Sequence, residues 1–175
     1  NPDDSTSLPD LGIRKIYKDR SGTLWVLTLR GKLCQYNPQK NNFIRYTFNR
    51  DKNVNPAKII TLTEDAEGIL WAATAKSEFF FYDKKKNCFT FKKLHESIQN
   101  KFEPIHLQCM IGANDGTLWI GTWEGLINFN ILKQEFTWYR NSAEPNSLGG
   151  DMVFNLAEDD AGNIWIASAN GGVSV

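Results

Sequence analysis

No apolar run in this sequence reaches the roughly 18–20 residues that a membrane-crossing helix needs, so direct insertion of this segment into a bilayer is not expected. Net charge is missing too. Twenty basic and twenty acidic residues cancel, which leaves no global field to attract DNA, RNA or an anionic membrane. Histidine is scarce: only His95 and His106 occur, and no Ser–His–Asp set, kinase nucleotide loop or metal-ligand spacing can be assembled. No catalytic residue, metal or cofactor is therefore expected. Neither histidine has a visible partner, and both read as ordinary surface or packed residues. The three cysteines, Cys34, Cys88 and Cys109, fall at unrelated places and are expected to be small packed side chains. The opening NPDDSTSLPD carries neither the charged nor the apolar stretch of a secretory leader.

What the chain does have is aromatic residues, 13% of the total, and a repeat. DRSGTLWVLT at Asp19–Thr28 returns as DAEGILWAAT at Asp65–Thr74, ANDGTLWIGT at Ala113–Thr122 and DDAGNIWIAS at Asp159–Ser168. Trp25, Trp71, Trp119 and Trp165 stand 46, 48 and 46 residues apart. Glycine lies three before each (Gly22, Gly68, Gly116, Gly162), and a small hydroxyl residue three after (Thr28, Thr74, Thr122, Ser168). Apolar residues recur twelve before (Ile13, Ile59, Leu107, Val153) and nine before (Ile16, Leu62, Met110, Leu156). An aromatic follows at Tyr36, Tyr82 and Phe129, and a phenylalanine seven later at Phe43, Phe89 and Phe136.

Short apolar runs punctuated by Gly, Asn, Asp and Lys predict strands joined by tight turns. Each period holds four, A to D, which in the first unit are roughly Ile13–Asp19, Thr23–Leu29, Lys32–Asn37 and Asn42–Phe48. Such a unit cannot bury both faces alone, so it must stack on its neighbours, and radial stacking makes a β-propeller. The predicted fold is all-β, one propeller fragment over 1–175 of four-stranded antiparallel blades, three complete and a partial fourth. The approximate blades are 12–48, 57–93, 105–140 and 151–175, with connections 49–56, 94–104 and 141–150. Each tryptophan should wedge between adjacent sheets. Three and a half blades leave end faces uncovered, so a homodimer through open blade edges is expected, or packing against further blades of a longer chain.

Ser-Leu, then Asp-x-x-Gly-x-Leu-Trp-Ile-Gly-Thr, then Gly-Leu and an aromatic, resembles the two-component regulator propeller repeat. Asp115–Asn130 (DGTLWIGTWEGLINFN) and Glu144–Ser168 carry the pattern most fully. Departures are Ala73 and Ser77 in place of glycines, Leu27 and Leu29 in the first Gly-Thr segment, and Ala113 in place of the strand-ending Asp. The resemblance implies a segment of the extracytoplasmic, periplasmic sensor region of a bacterial hybrid two-component histidine kinase. Such regions are often tuned to carbohydrates and belong to parents anchored in the inner membrane. It implies no enzymatic activity in the segment itself. The rival expectations are a propeller-type glycosidase, lyase or quinoprotein-like enzyme fragment, and a pure protein–protein scaffold.

Loop spacing selects a face. The A–B and C–D intervals are constant, whereas B–C and D–A vary, and variable loops on a rigid scaffold tend to carry function. Trp123, beside Glu124, stands in a B–C turn where the other units have Leu29, Ala75 and Ala169. An exposed indole next to a carboxylate suits a sugar ring, which stacks by its apolar face and hydrogen-bonds by its hydroxyls. Weaker candidates are Arg30, Lys76, Glu78 and Asn170 in the same turn of other units, and Arg140, Glu103 and His106 at the D–A end. Trp138 on strand D reads as packing or interface. Lys84–Lys86 reads as a solvated turn, and Asp/Glu at the end of strand A as turn caps.

Overall fold

The computed structural model describes residues 4–48, 58–92 and 106–175. Within them the chain forms fifteen strands and no helix. Blade 1 holds β1 (Ile13–Lys18), β2 (Leu24–Thr28), β3 (Leu33–Asn37) and β4 (Asn42–Tyr46). Blade 2 holds β5 (Ile59–Glu64), β6 (Leu70–Thr74), β7 (Phe79–Asp83) and β8 (Cys88–Lys92). Blade 3 holds β9 (Leu107–Gly112), β10 (Thr117–Thr122), β11 (Gly125–Asn130) and β12 (Glu135–Tyr139). Blade 4 holds β13 (Val153–Glu158), β14 (Ile164–Ser168) and β15 (Gly172–Ser174). Every blade is an antiparallel meander in chain order, three of four strands and the last of three. The fold is a β-propeller fragment, as expected. The connections placed at 49–56 and 94–104 lie outside the described residues.

The repeated hairpin explains the repeated sequence. Asp19 accepts hydrogen bonds from the Thr23 amide and from Trp25 Nε1, both at 2.9 Å. Asp65 does the same for Ile69 and Trp71, and Asp159 for Asn163 and Trp165. One carboxylate therefore closes the turn and aims the indole. Glycine three before each tryptophan has φ of 75–86°, a left-handed conformation costly for any side chain. Strand A carries a register shift at the same place in all four units, two residues opposing one after the first pair. Such a bulge bends the innermost strand.

Packing runs from each blade to the next. Trp25 meets Tyr82 and Phe89 of blade 2 edge-on, with centroids 5.3 and 5.8 Å away, in a core that also contains Leu27, Leu62, Leu70 and Phe80. Trp71 lies with Met110, Leu118 and Ile127 of blade 3. Trp119 and Ile111 pack on Val153, Leu156 and Ile166 of blade 4. Backbones approach closely between blades 2 and 3: a Cβ on Gly112 would stand 2.1 Å from the Glu64 carbonyl oxygen. Only glycine fits there.

Two expectations need correction. Trp165 does not wedge between sheets; it is 47% exposed, because no described blade follows the fourth. Nor are all three thiols packed. Cys34 is buried and Cys109 half-buried, and burial pushes their pKa values up to about 11 and about 12. Cys88 is exposed, since it begins the outermost strand of blade 2.

Candidate functional site

Strand A is extended by one pair beyond the sheet in blade 3, as in blades 1 and 4. The Trp123 amide donates to the His106 carbonyl at 3.1 Å, as Leu29 does to Gly12 and Ala169 to Met152. In these three blades the position thirteen before the tryptophan thus faces the position four after it. In blade 3 that facing pair is His106 and Trp123, whose rings stack with centroids 4.9 Å apart and planes 25° apart. The Glu124 carboxylate turns back onto the same histidine. Its Oε1 lies 2.8 Å from His106 Nδ1, and its Oε2 accepts the His106 amide at 3.1 Å. The expectation that His106 has no partner is therefore wrong: it is held between an acid and an indole. Sequence reasoning missed the pairing because it joins two strands across a bulge, although the repeat's own register identifies His106 once strands A and B are paired.

Trp123 remains 46% exposed with one ring face occupied by His106. Behind it, Trp138 Nε1 donates to the Glu124 carbonyl at 3.1 Å, and the Arg140 guanidinium lies 3.9 Å from the Trp138 ring centroid. Gly125, with φ of 128°, permits this: a Cβ there would meet the Tyr139 carbonyl oxygen at 2.4 Å and Trp138 Nε1 at 2.9 Å. The structure brings Trp123, Glu124 and Arg140 into one cluster with His106 and Trp138. Trp138, expected to serve packing or an interface, packs on the blade 3 core and also supports that cluster.

The other candidates sit in the equivalent turns of their own blades. Arg30 is exposed and pairs with Asp10 at 3.6 Å. Lys76 is exposed, and the Glu78 carboxylate accepts from the Thr74 hydroxyl at 3.2 Å within its own turn. Asn170 is exposed and adopts a left-handed φ of 59°. His95 and Glu103 lie outside the described residues. Lys84–Lys86 form an exposed turn whose amides at Lys85 and Lys86 donate to Asp83.

Trp138 and Arg140 also border a cavity of about 600 Å³ between blades 3 and 4, walled by Trp119, Tyr139, Glu144 and Asn146 among others. Here the absent Asp matters. Ala113 cannot tie the indole, and Trp119 instead stacks on Tyr139 at 5.6 Å. The A–B turn is capped by Asp115, which accepts from the Thr117 amide and hydroxyl. A second, smaller hollow of about 350 Å³ at the other hairpins contains Asp19, Glu64 and Glu158. All three carboxylates are engaged with backbone amides: Thr23 to Asp19, Arg20 to Glu64 and Asn114 to Glu158. Among the described residues no group of three His, Cys, Asp or Glu is placed to hold a metal.

The Asp-tied tryptophan hairpin occurs twice together with the Ser-Leu segment that precedes it, and a family model described as two component regulator propeller matches residues 7–30 and 147–170. Those segments are similar to two-component regulator propeller repeats. Solved structures share the fold. The extracellular domain of BT4673 from B. thetaiotaomicron, described as a hybrid two component system, is 20% identical with a TM-score of 0.76, covering 95% of this chain and 21% of that one. The extracellular domain of BT3049 from the same organism, described likewise, is 18% identical with a TM-score of 0.56, covering 99% and 28%. A catalytically inactive virginiamycin B lyase from Staphylococcus aureus is 10% identical with a TM-score of 0.64, covering 95% and 56%. The chain thus spans between about a fifth and about a quarter of the two sensor structures it matches. No curated protein matches it by sequence.

Proposed function

We propose that these propeller repeats form part of an extracytoplasmic ligand-sensing module of a hybrid two-component histidine kinase, binding a carbohydrate on blade 3. The observation that carries the reading is Trp123: a half-exposed indole, backed on one face by His106 and flanked by the Glu124 carboxylate. One open aromatic face beside polar groups suits a pyranose ring. Trp138 and Arg140 continue the aromatic and hydrogen-bonding surface into the cavity between blades 3 and 4. Ligand contact there alters how blades 3 and 4 pack, and the change in packing passes to distant membrane and kinase regions. The matched repeats and the extracellular neighbours support both the sensor role and the placement outside the cytoplasm.

The rival enzymatic reading has less behind it. Glu144 is the acidic side chain bordering the larger cavity, whereas a hydrolase needs two carboxylates about 5–10 Å apart. The carboxylates of the smaller hollow already cap turns. Calorimetric titration against a glycan panel tests the proposal, with Trp123→Ala beside the parent. A binding glycan should lose about tenfold or more in affinity on that change. Unaltered affinity removes Trp123 from the site.

A further inference from the structure

The zero net charge of the chain conceals a local imbalance of hydrogen-bonding groups on the face that carries Trp123. Backbone bonds lace the B–C turns of blades 1 and 2 to the blades that follow them. The Ile59 amide donates to the Gly31 carbonyl at 3.1 Å, and the Leu107 amide to the Ala75 carbonyl at 3.3 Å. The first contact is close: a Cβ on Gly31 would stand 2.9 Å from Lys58 Cα. Arg30, beside Gly31, is therefore set next to Lys58, and Lys76, beside Ala75, next to His106, on which Trp123 stacks. Arg30, Lys58 and Lys76 thus follow one arc from blade 1 to blade 3, all exposed, and Arg140 stands at the Trp138 side of the same cluster. The arc crosses the turns of successive blades and involves neither end face of the row.

Donors and acceptors along it are unequally free. Carboxylates stand among the bases, but each is already bonded. Asp10 accepts the Thr28 hydroxyl and pairs with Arg30 at 3.6 Å, and Glu78 accepts the Thr74 hydroxyl at 3.2 Å. Glu124 holds His106 through both of its oxygens. Among the described residues the Lys58 and Lys76 ammonium groups have no hydrogen-bond or ion-pair partner. Nor does any carboxylate, Glu144 of the neighbouring cavity included, come within ion-pair distance of Arg140. Lysine and arginine are donors only. A neutral sugar hydroxyl that accepts from them brings a hydrogen of its own, and the nearby acceptors are engaged. A carboxylate or sulfate ester accepts without donating, and its bond to a cation is of the stronger kind.

We infer that the ligand of this face is an acidic oligosaccharide, with one ring on Trp123 and its carboxylate or sulfate groups on Lys76, Lys58 and Arg30. Arg140, laid on Trp138, supplies a further oxyanion contact. The inference rests on the carbohydrate reading above and names the class of sugar.

Calorimetric titration tests this with a galacturonate hexamer and a sulfated galactan oligomer, each beside its uncharged counterpart, carboxyl-reduced or desulfated. Circular dichroism confirms that each variant stays folded. At least one acidic oligomer should bind about tenfold tighter than its counterpart, and which one does so separates carboxylate from sulfate recognition. Lys58→Gln combined with Lys76→Gln should weaken that oligomer about tenfold and leave its counterpart unchanged. Lys84→Gln combined with Lys85→Gln removes the same charge from the exposed C–D turn of blade 2 and should change neither. Trp123→Ala should weaken acidic and neutral oligomers alike. Neutral oligomers that bind as tightly as the acidic ones, with Trp123 still required, overturn the inference and leave the carbohydrate reading standing. Acidic binding lost equally with either lysine pair shows plain attraction of a polyanion and also overturns it. Indifference to Trp123→Ala, or no binding of any oligomer, overturns both.

Discussion

Replacing Asp65 by alanine should cost far more than the loss of one turn cap. Asp65 is buried and accepts two hydrogen bonds, from Trp71 Nε1 at 2.6 Å and from the Ile69 amide at 2.8 Å. Bonds to a charged acceptor are each worth about 1.5–3 kcal/mol, and donors left unpaired away from water lose the full desolvation penalty. Because both donors sit in one small turn and relax together, the expected loss is about 3 kcal/mol rather than the sum. Urea denaturation followed by far-ultraviolet circular dichroism reads it as a lower midpoint at unchanged slope. Asp65→Asn, which keeps the acceptor and removes the charge, should lose about half as much. A cycle with Trp71→Phe should return a coupling above about 1 kcal/mol. The same alanine change at Asp159 should be much milder, since the exposed Trp165 indole finds water instead. A loss at Asp65 below about 1 kcal/mol, or no coupling to Trp71, would refute the idea that one carboxylate governs turn and wedge together.

Gly112→Ala should force the Glu64 carbonyl away from blade 3 and cost about 2 kcal/mol, seen as a lower urea midpoint and faster amide exchange along β5 and β9. Acid should loosen blade 4 late: hydrogen bonds from Trp165 and Asn163 hold Asp159 down from 3.8 to about 2. A depressed folded-state pKa stabilises above 3.8, and that contribution fades as pH falls through about 2. Trp165 emission should therefore be constant down to about pH 4 and change between there and pH 2, and a change centred above pH 5 would contradict it.

Much of the architecture was legible because it is periodic. Spacing from Ile13 to Trp25 and from Tyr36 to Phe43 reports strand and turn lengths directly, and those lengths repeat wherever the same hairpin must stack on the same neighbour. The strand ends of blade 1 fall within two residues of expectation. What escaped was pairing across strands. The Asp–Trp bond was hidden inside a motif read only as a cap, although Ala113 marks the one unit without it. His106 seemed isolated because Trp123 and Glu124 lie 17 and 18 residues away and meet it only once the bulge sets the register. Exposure at the ends, as at Trp165 and Ile16, depends on what covers a blade, and no local pattern records that.

The missing carboxylate of the third hairpin has a mechanical consequence. Three of the four indoles are pinned at their nitrogen by an anion, so turning them breaks a charge-assisted bond. Trp119, steadied by a neighbouring phenol ring instead, rotates at lower cost, and it forms a wall of the cavity between blades 3 and 4. Among otherwise equivalent spokes, the least firmly fastened one stands beside the surface that Trp123 and Arg140 share. Filling that cavity would move the spoke before it moved the wheel.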